Sequence, residues 1–265
     1  MPYITSDGTN IYVDVAGAGR PVLLLHGFTL DHRQWDSQAR LFATEYRVFR
    51  MDLRGHGRSE TGHGGYTYAA TGRDVGRTMV QIGMERLNPG YIVAHSIAAD
   101  AALRVGLDEP RSLQGVVVVT PAVWGHLWSS DWSSVWRAMR DETRAGRLGA
   151  ALERFRADAL FDGLRGRPEL EAVRDMQASF SGAPWRASER DEGPTTLDRL
   201  DGFKVPLLVL SAERDRADFR AAAQEIVDRV PGAGHLEFPA ARHFLNLEQP
   251  AKFTETVLEF MRLHP

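Results

Sequence analysis

A strand, a tight turn that carries a serine and a helix of small residues follow one another between residues 91 and 107. The apolar run is Tyr91-Ile92-Val93, and the turn is Ala94-His95-Ser96-Ile97-Ala98. Small residues two positions before and after Ser96 let a strained turn close without side-chain clashes, so the hydroxyl projects above the sheet. The segment therefore predicts a nucleophile elbow, with alanine at two positions that more often carry glycine.

Apolar runs with strand character alternate with helical patterns along most of the chain. An unbroken apolar run such as residues 22–25 is typical of a central strand that is covered on both faces. Strands are predicted at residues 10–15, 22–25, 46–51, 91–93, 114–119 and 205–210, and helices at residues 33–43, 74–84, 99–107 and 250–262. This alternation predicts an α/β fold with a mostly parallel central sheet flanked by helices.

The pattern changes between residues 121 and 200. Four of the six tryptophans fall in the first sixteen residues of this segment, arginine- and glutamate-rich helical patterns follow, and no strand is convincing. We therefore predict a core of residues 1–120 and 201–265, with residues 121–200 forming a helical lid over the carboxyl edge of the sheet.

Composition limits the partners that such a chain can have. The 265 residues carry a formal net charge of -3 with acids and bases interleaved, which argues against a nucleic acid partner. Cysteine is absent, and this fits a reducing compartment. The start of the chain lacks a signal-peptide pattern, and no apolar run approaches the roughly 20 residues that span a membrane. The expectation is a cytoplasmic protein without a membrane partner, whereas the oligomeric state is left open.

Candidates for an activating base and an orienting acid lie far from Ser96 in sequence. A serine hydroxyl is a weak nucleophile unless a base within hydrogen-bond reach activates it. His243 lies in a loop just before the last helix, and Asp215 follows a buried strand, so both are expected at the edge of the sheet where Ser96 emerges. Asp215 could instead cap the next helix, and Asp218 could then serve as the acid.

Several segments outside residues 121–200 together resemble the α/β-hydrolase fold group of esterases, haloperoxidases, lactonases and carbon-carbon hydrolases. They are His26-Gly27-Phe28, residues 52–59, the Ser96 elbow, Glu213-Arg214-Asp215, and His243 with Asn246-Leu247-Glu248-Gln249-Pro250. The resemblance implies that Ser96, Asp215 and His243 form a catalytic triad. It also implies that the backbone amides of Phe28 and Ile97 form the oxyanion hole.

The tryptophans are candidates for a substrate-binding surface. Trp124, Trp128, Trp132 and Trp136 recur every four residues and would form one stripe on a helix. The stripe could pack the helix onto the core, or its rings could line a cavity for an apolar or aromatic ligand, with Trp185 added to the same surface.

The histidines near these motifs are predicted to have structural roles. His26, His32 and His56 show no helical ligand spacing with an acidic partner, so no metal site is predicted, and no cofactor is expected. Neighbouring side chains on a strand point to opposite faces, so a direct catalytic role is not expected for His95, and we interpret it as a packed, hydrogen-bonded histidine.

Three functions are compatible with these features. The first is a serine hydrolase that cleaves a small or medium apolar or aromatic ester, lactone or related carbonyl compound through an acyl-enzyme. The second is hydrolysis of a carbon-carbon bond, or cofactor-free proton abstraction from an aromatic substrate with His243 as base. Cofactor-free dioxygenases of this fold carry histidine where this chain has Ile97, and tend to carry it where Leu30 stands. The third is a lidded protein that binds a ligand as a sensor.

Overall fold

The computed structural model describes residues 2–62 and 64–265, which contain an eight-stranded sheet. Its strands are β1 Tyr3–Ser6, β2 Thr9–Gly17, β3 Pro21–Leu25, β4 Arg47–Met51, β5 Gly90–His95, β6 Leu113–Val119, β7 Leu207–Ala212 and β8 Gly234–Phe238. They lie in the order β1-β2-β4-β3-β5-β6-β7-β8. β2 pairs antiparallel with β1 and β4, and the other neighbouring strands pair in parallel. This mostly parallel sheet, with its flanking helices, confirms the predicted fold class.

The helices are α1 Asp36–Phe42, α2 Tyr68–Gln81, α3 Ala98–Asp108, α4 Ser130–Arg144, α5 Leu148–Arg156, α6 Pro168–Gln177, α7 Ala183–Arg186, α8 Thr196–Arg199, α9 Ala217–Arg229, α10 Leu245–Glu248 and α11 Pro250–Leu263. Short 3-10 helices lie at His32–Trp35, Pro110–Ser112, Ala159–Leu164 and Leu200–Gly202. The helix expected from residue 74 begins earlier, at Tyr68, because the Thr67 side chain accepts the Ala70 amide. In the part of the chain that the structure describes, no helix has both the length and the apolar character needed to cross a membrane.

Both faces of the central strands are covered by helices. On β3, Leu23 and Leu25 pack with the residues of α2 and α3, whereas Val22 and Leu24 pack on the opposite face with those of α1 and α11. Successive strand side chains point to opposite faces, so a strand that is covered on both sides requires an unbroken apolar run. All five residues of β3 are buried. This explains why the most apolar segments of the sequence lie at the centre of the sheet.

The chain between β6 and β7 passes through α4 to α8 and, among the described residues, forms no strand. Buried side chains of this segment form a third apolar cluster, which includes Trp132, Met139 and Phe161. Leu30, Phe219 and Phe244 join the same cluster from loops and a helix of the sheet region. The helical segment is thus packed over one edge of the sheet. The division into a core and a lid at residues 121–200 stays a prediction.

Candidate functional site

Ser96 occupies a strained turn between β5 and α3. Its φ of 54° lies in the left-handed region, which is unfavourable for a residue with a side chain. The Ser96 amide donates to the Val119 carbonyl at 2.9 Å, and the Ser96 carbonyl accepts from the Ala122 amide at 3.0 Å. Ala94 and Ala98 are completely buried on either side of the turn, so larger side chains would not fit there. The turn directs the Ser96 hydroxyl into a cavity.

The structure brings Ser96, His243 and Asp215 together in one hydrogen-bonded chain. His243 Nε2 lies 2.9 Å from Ser96 Oγ, and His243 Nδ1 lies 2.9 Å from Asp215 Oδ2. Asp215 lies in the loop after β7 and His243 in the loop after β8, so both come from the same edge of the parallel sheet as Ser96. Because the Asp215 carboxylate can only accept, Nδ1 carries the proton and Nε2 is free to accept one from the hydroxyl.

Asp218 is not the partner of His243. Its carboxylate accepts the Ser129 amide at 2.7 Å and the Ser129 hydroxyl at 2.9 Å. Asp218 thus joins the start of α9 to the start of α4. Of the two acids considered from the sequence, only Asp215 contacts the imidazole.

The backbone carbonyl of His243 accepts two hydrogen bonds from buried side chains. His95 Nε2 donates at 2.9 Å, and Thr120 Oγ1 donates at 2.9 Å. The imidazole rings of His95 and His243 lie 4.9 Å apart. His95 is therefore a packed, hydrogen-bonded residue, as interpreted from the sequence, but its contact with the His243 loop was not predicted. Its position next to Ser96 in sequence was the available signal.

Glu248 holds the His243 loop from the other side. Its carboxylate accepts the Arg242 amide at 2.9 Å and the Phe244 amide at 3.1 Å, so both neighbours of His243 are fixed. Burial raises the pKa of Glu248, and these two donated hydrogen bonds act in the opposite direction. The sequence motif around Glu248 contributed to the family resemblance, and its contacts give that motif a physical role.

The loop after β3 presents Phe28 next to the turn of Ser96. The Gly27 amide donates to Gln34 Oε1 at 2.8 Å, which fixes the residue just before Phe28. The amides of Phe28 and Ile97 donate to no acceptor among the described residues. Two amide donors on segments that meet at Ser96 are what an oxyanion hole requires.

His26 supports this loop as a neutral side chain. Its Nε2 accepts the Leu53 amide at 2.9 Å, so Nδ1 carries the proton and donates to the Gly27 carbonyl at 2.8 Å. Burial lowers the pKa of His26. These contacts agree with the expected structural role of His26.

Three buried histidines around the site make the stability of the fold sensitive to acid. Burial lowers the pKa of His26, His56 and His95, and for His56 the pKa falls from 6.5 to about 3. When the pH falls below the usual histidine pKa of 6.5, these imidazoles become protonated in the unfolded chain but stay neutral in the folded chain. The free energy of unfolding is therefore highest above pH 6.5 and decreases as the pH falls.

We expect the free energy of unfolding to fall by about 1 kcal/mol through His56 alone between pH 6.5 and pH 5.5, and His26 and His95 to act in the same direction. Urea unfolding at pH 8.0, 7.5, 6.5 and 5.5 measures this change. Little difference is expected between pH 8.0 and 7.5, where the unfolded chain also leaves the imidazoles neutral. Equal stability at pH 6.5 and 5.5 would contradict the assignment of these histidines as neutral.

A cavity of about 360 Å³ opens above Ser96, Ile97 and His243. Its wall is mainly aromatic and is formed by Phe28, Trp128, Trp132, Trp136, Phe155, Phe219 and Phe244. Polar side chains line it as well, namely Tyr66, Thr67, Tyr68, Thr71, Arg140, Glu189 and Asp191. Glu189 is exposed whereas Phe155 and Phe219 are buried, so the cavity opens on the side of Glu189. Such a wall suits a ligand with an apolar body.

Trp124 does not line this cavity. α4 begins only at Ser130, because the Ser129 side chain accepts the Trp132 amide, so Trp124 and Trp128 precede the helix on which the stripe was predicted. The Trp124 ring lies under the guanidinium of Arg104, 5.0 Å from the ring centre. The spacing of four residues predicted one continuous stripe on a helix, but only Trp132 and Trp136 lie on α4, and Trp124 and Trp128 lie in the loop before it.

Trp185 also lies outside the cavity wall. Its side chain is completely buried and packs against Phe28, with the ring centres 5.4 Å apart, and against Phe180 at 5.1 Å. Trp185 therefore contacts the Phe28 ring without lining the cavity itself. Of the five predicted tryptophans, Trp128, Trp132 and Trp136 line the cavity.

Asp31, His32 and Asp52 each place a possible metal ligand within 4.8 Å of the others. Their atoms already have partners. Asp52 Oδ1 accepts from His32 Nδ1 at 2.8 Å, and Asp31 pairs with Arg33 at 2.6 Å. A guanidinium thus occupies one side of the group, and the side chains join the loop after β3 to the loop after β4. We assign no metal to it.

Comparison with known proteins places these features in context. A profile of the family described as "Alpha/beta hydrolase family" matches residues 22–256. A putative non-heme chloroperoxidase of Synechocystis sp. is 24% identical over an alignment of 286 positions, gaps included, which covers 99% of this chain and 100% of that protein. A non-heme haloperoxidase of Rhodococcus erythropolis is 50% identical over 68 residues, which cover 24% of each protein. Higher identity is thus confined to a short stretch.

The structure is similar to that of Est816, which is described as an N-acyl homoserine lactone degrading enzyme. The TM-score is 0.78 at 26% sequence identity, and the match covers 98% of this chain and 100% of that one. The similarity therefore includes the helices between β6 and β7 as well as the sheet.

Proposed function

Because the chain belongs to the alpha/beta hydrolase family, we propose that it is a serine hydrolase for a small or medium apolar or aromatic ester or lactone. The observation that carries this proposal is the hydrogen-bonded chain from Ser96 through His243 to Asp215, which lies at a largely aromatic cavity. The description of Est816 as a lactone degrading enzyme supports the same class of carbonyl substrate.

The first half of the reaction forms an acyl-enzyme. Ser96 Oγ attacks the substrate carbonyl carbon while His243 Nε2 takes the hydroxyl proton, a transfer for which the 2.9 Å separation is suitable. The Nδ1–H group donates a hydrogen bond to the Asp215 carboxylate, and the negative charge of that carboxylate stabilises the imidazolium. When the tetrahedral intermediate collapses, the bond to the leaving oxygen breaks and Nε2 donates the proton to that oxygen.

The negative charge of the intermediate falls on the former carbonyl oxygen. In this mechanism the amides of Phe28 and Ile97 donate to that oxygen, and both amides are available because no described residue accepts from them. In the second half, water attacks the acyl carbon and gives a proton to His243 Nε2. The bond between the acyl carbon and Ser96 Oγ then breaks, Nε2 returns the proton to Oγ, and the acid product is released.

Residues 121–200 would act as the lid in this mechanism. Trp128, Trp132 and Trp136 belong to this segment, and all three line the cavity that also contains Ser96 and His243. Excluding bulk water strengthens the electrostatic interactions around the oxyanion. The lid would therefore both bind the apolar body of the substrate and protect the charged intermediate.

Turnover of 4-nitrophenyl esters with acyl chains from acetate to decanoate tests the proposal. We expect enzyme-dependent release of 4-nitrophenol with kcat/KM on the order of 10⁴ M⁻¹ s⁻¹ or more for the best ester. No release with any chain length, combined with binding of the same esters to the folded protein, would favour the ligand-binding alternative.

Replacement of Gly27 by alanine tests the oxyanion role of the loop. A Cβ at this position would lie 2.3 Å from His95 Nδ1, so the loop would have to move and carry the Phe28 amide with it. We expect kcat to fall by roughly 10²-fold, as for the loss of one oxyanion donor. Steady-state kinetics with the best ester measures the change.

Gly76→Ala is the matched control, because a Cβ at Gly76 in α2 meets no atom within 4 Å. Its kcat should match that of the unmodified protein, and its stability should rise by about 1 kcal/mol or less. Native kcat in Gly27→Ala would show that this loop does not take part.

A further inference from the structure

One wall of the cavity is formed by a single face of α4. Trp132, Trp136 and Arg140 follow one another at intervals of four residues, and all three line the cavity. Each interval advances about 6 Å along a helix axis. The Trp136 ring contacts the ring of Phe28, with the centres 4.8 Å apart. Arg140 lies about one helical turn beyond Trp136, and its guanidinium donates to the carbonyl of Ala187, two residues before the exposed Glu189, so it lies on the side where the cavity opens.

No carboxylate of the described residues lies within 4.0 Å of the Arg140 guanidinium. Its Nη2 donates to the Ala187 carbonyl at 2.7 Å, and Arg144 donates to the same oxygen at 3.2 Å. Partial burial, followed by the charges of Arg144 and Arg190, lowers the pKa of Arg140. A desolvated cation beside like charges is a site that an anion would stabilise.

The two acidic side chains of the cavity wall, Asp191 and Glu189, are not the anion that pairs with Arg140. Asp191 accepts the Tyr68 amide at 2.8 Å and the Ala69 amide at 2.7 Å, so its carboxylate is held at the start of α2. Glu189 accepts the Gly65 amide at 3.4 Å. Both carboxylates have backbone partners, whereas the Arg140 guanidinium retains donors that can bind a ligand.

We propose that Arg140 binds a carboxylate on the substrate, at the end remote from the carbonyl that Ser96 attacks. The substrate class is then an ester or lactone with an apolar body, which contacts Trp132 and Trp136, and a terminal carboxylate at the open end of the cavity. This inference rests on the proposed hydrolase function and narrows its substrate class. A guanidinium matches a carboxylate through two parallel hydrogen bonds, and such charge-assisted pairs are about twice as strong as neutral ones.

A matched pair of substrates tests the assignment. Mono-4-nitrophenyl suberate carries a terminal carboxylate, and 4-nitrophenyl octanoate carries a methyl group in its place. We expect the unmodified protein to prefer the suberate ester. Arg140→Gln should lower kcat/KM for the suberate ester by about 10- to 100-fold more than for the octanoate ester. Arg140→Lys keeps the charge and should lose less of the preference.

Arg137→Gln is the control, because Arg137 lies on the same helix, is exposed and does not line the cavity. It should leave both rates unchanged. The inference is overturned if Arg140→Gln lowers the two rates equally, if Arg137→Gln reproduces its effect, or if the unmodified protein shows no preference for the suberate ester.

A binding measurement separates this inference from the hydrolase proposal. Calorimetric titration of Ser96→Ala with monomethyl suberate and with methyl octanoate does not depend on turnover. Tighter binding of the suberate ester, lost on adding Arg140→Gln, supports the Arg140 site even if no ester is hydrolysed. Equal binding of the two ligands, together with Ser96-dependent hydrolysis of the octanoate ester, would reject the Arg140 site alone.

Discussion

Replacing Ser96 with alanine should lower kcat for the best 4-nitrophenyl ester by on the order of 10⁵-fold. The variant lacks the oxygen that forms the acyl bond, and only binding and the amides of Phe28 and Ile97 remain to accelerate attack by water. Turnover is measured at saturating ester, after the uncatalysed rate has been subtracted.

Two controls show that turnover is lost because the nucleophile is missing, and not because the variant is misfolded or because any serine has been replaced. Ser134→Ala removes an exposed hydroxyl from α4 and should turn over ester normally. Near-ultraviolet circular dichroism and the thermal midpoint of Ser96→Ala should resemble those of the unmodified protein. Native turnover in a folded Ser96→Ala protein would mean that another group attacks the substrate.

Asp215→Asn should lower kcat by on the order of 10³- to 10⁴-fold. An amide in this position can donate to His243 Nδ1, which would place the proton of the neutral imidazole on Nε2, where it can no longer accept from Ser96. The imidazolium formed during attack would also lose its carboxylate partner, which lies 2.9 Å away. Steady-state kinetics across pH 6 to 9 measures the loss.

The matched control for Asp215 is Asp218→Asn, three residues further along the chain. Asp218 bonds to Ser129 and does not contact the imidazole, so kcat should stay within about threefold of the unmodified value, as for a surface change. If Asp218→Asn caused the larger loss, Asp218 would be the orienting acid and the structural assignment would be wrong.

The fold class could be predicted because its strongest determinants are local. Unbroken apolar runs such as residues 22–25 and 114–119 indicated buried parallel strands, and the structure places them at the centre of the sheet. The turn at Ser96 was equally visible, since small residues must flank it. Positions with one physical requirement, such as burial on both faces, leave a pattern that a single sequence reveals.

The resemblance to the α/β-hydrolase group pointed to Ser96, Asp215 and His243, but the contacts around these three residues could not be predicted. The contact between His95 and the His243 loop was not predicted, because it joins two segments that are far apart in sequence. Arg140 was not considered, because its importance comes from the cavity it faces and from the lack of a carboxylate partner among the described residues. Trp124 was assigned to a helix that begins only at Ser130. In each case the missing information was a tertiary contact.

The central claim is that Ser96 is the nucleophile and that His243 activates it. Reaction with a fluorophosphonate probe, followed by peptide mass spectrometry, tests this most directly, because the probe forms a stable bond only with an activated hydroxyl. We predict one label per chain on Ser96, loss of esterase turnover in step with labelling, and no label in His243→Ala. A label on another residue, or full turnover after Ser96 has been modified, would contradict the account.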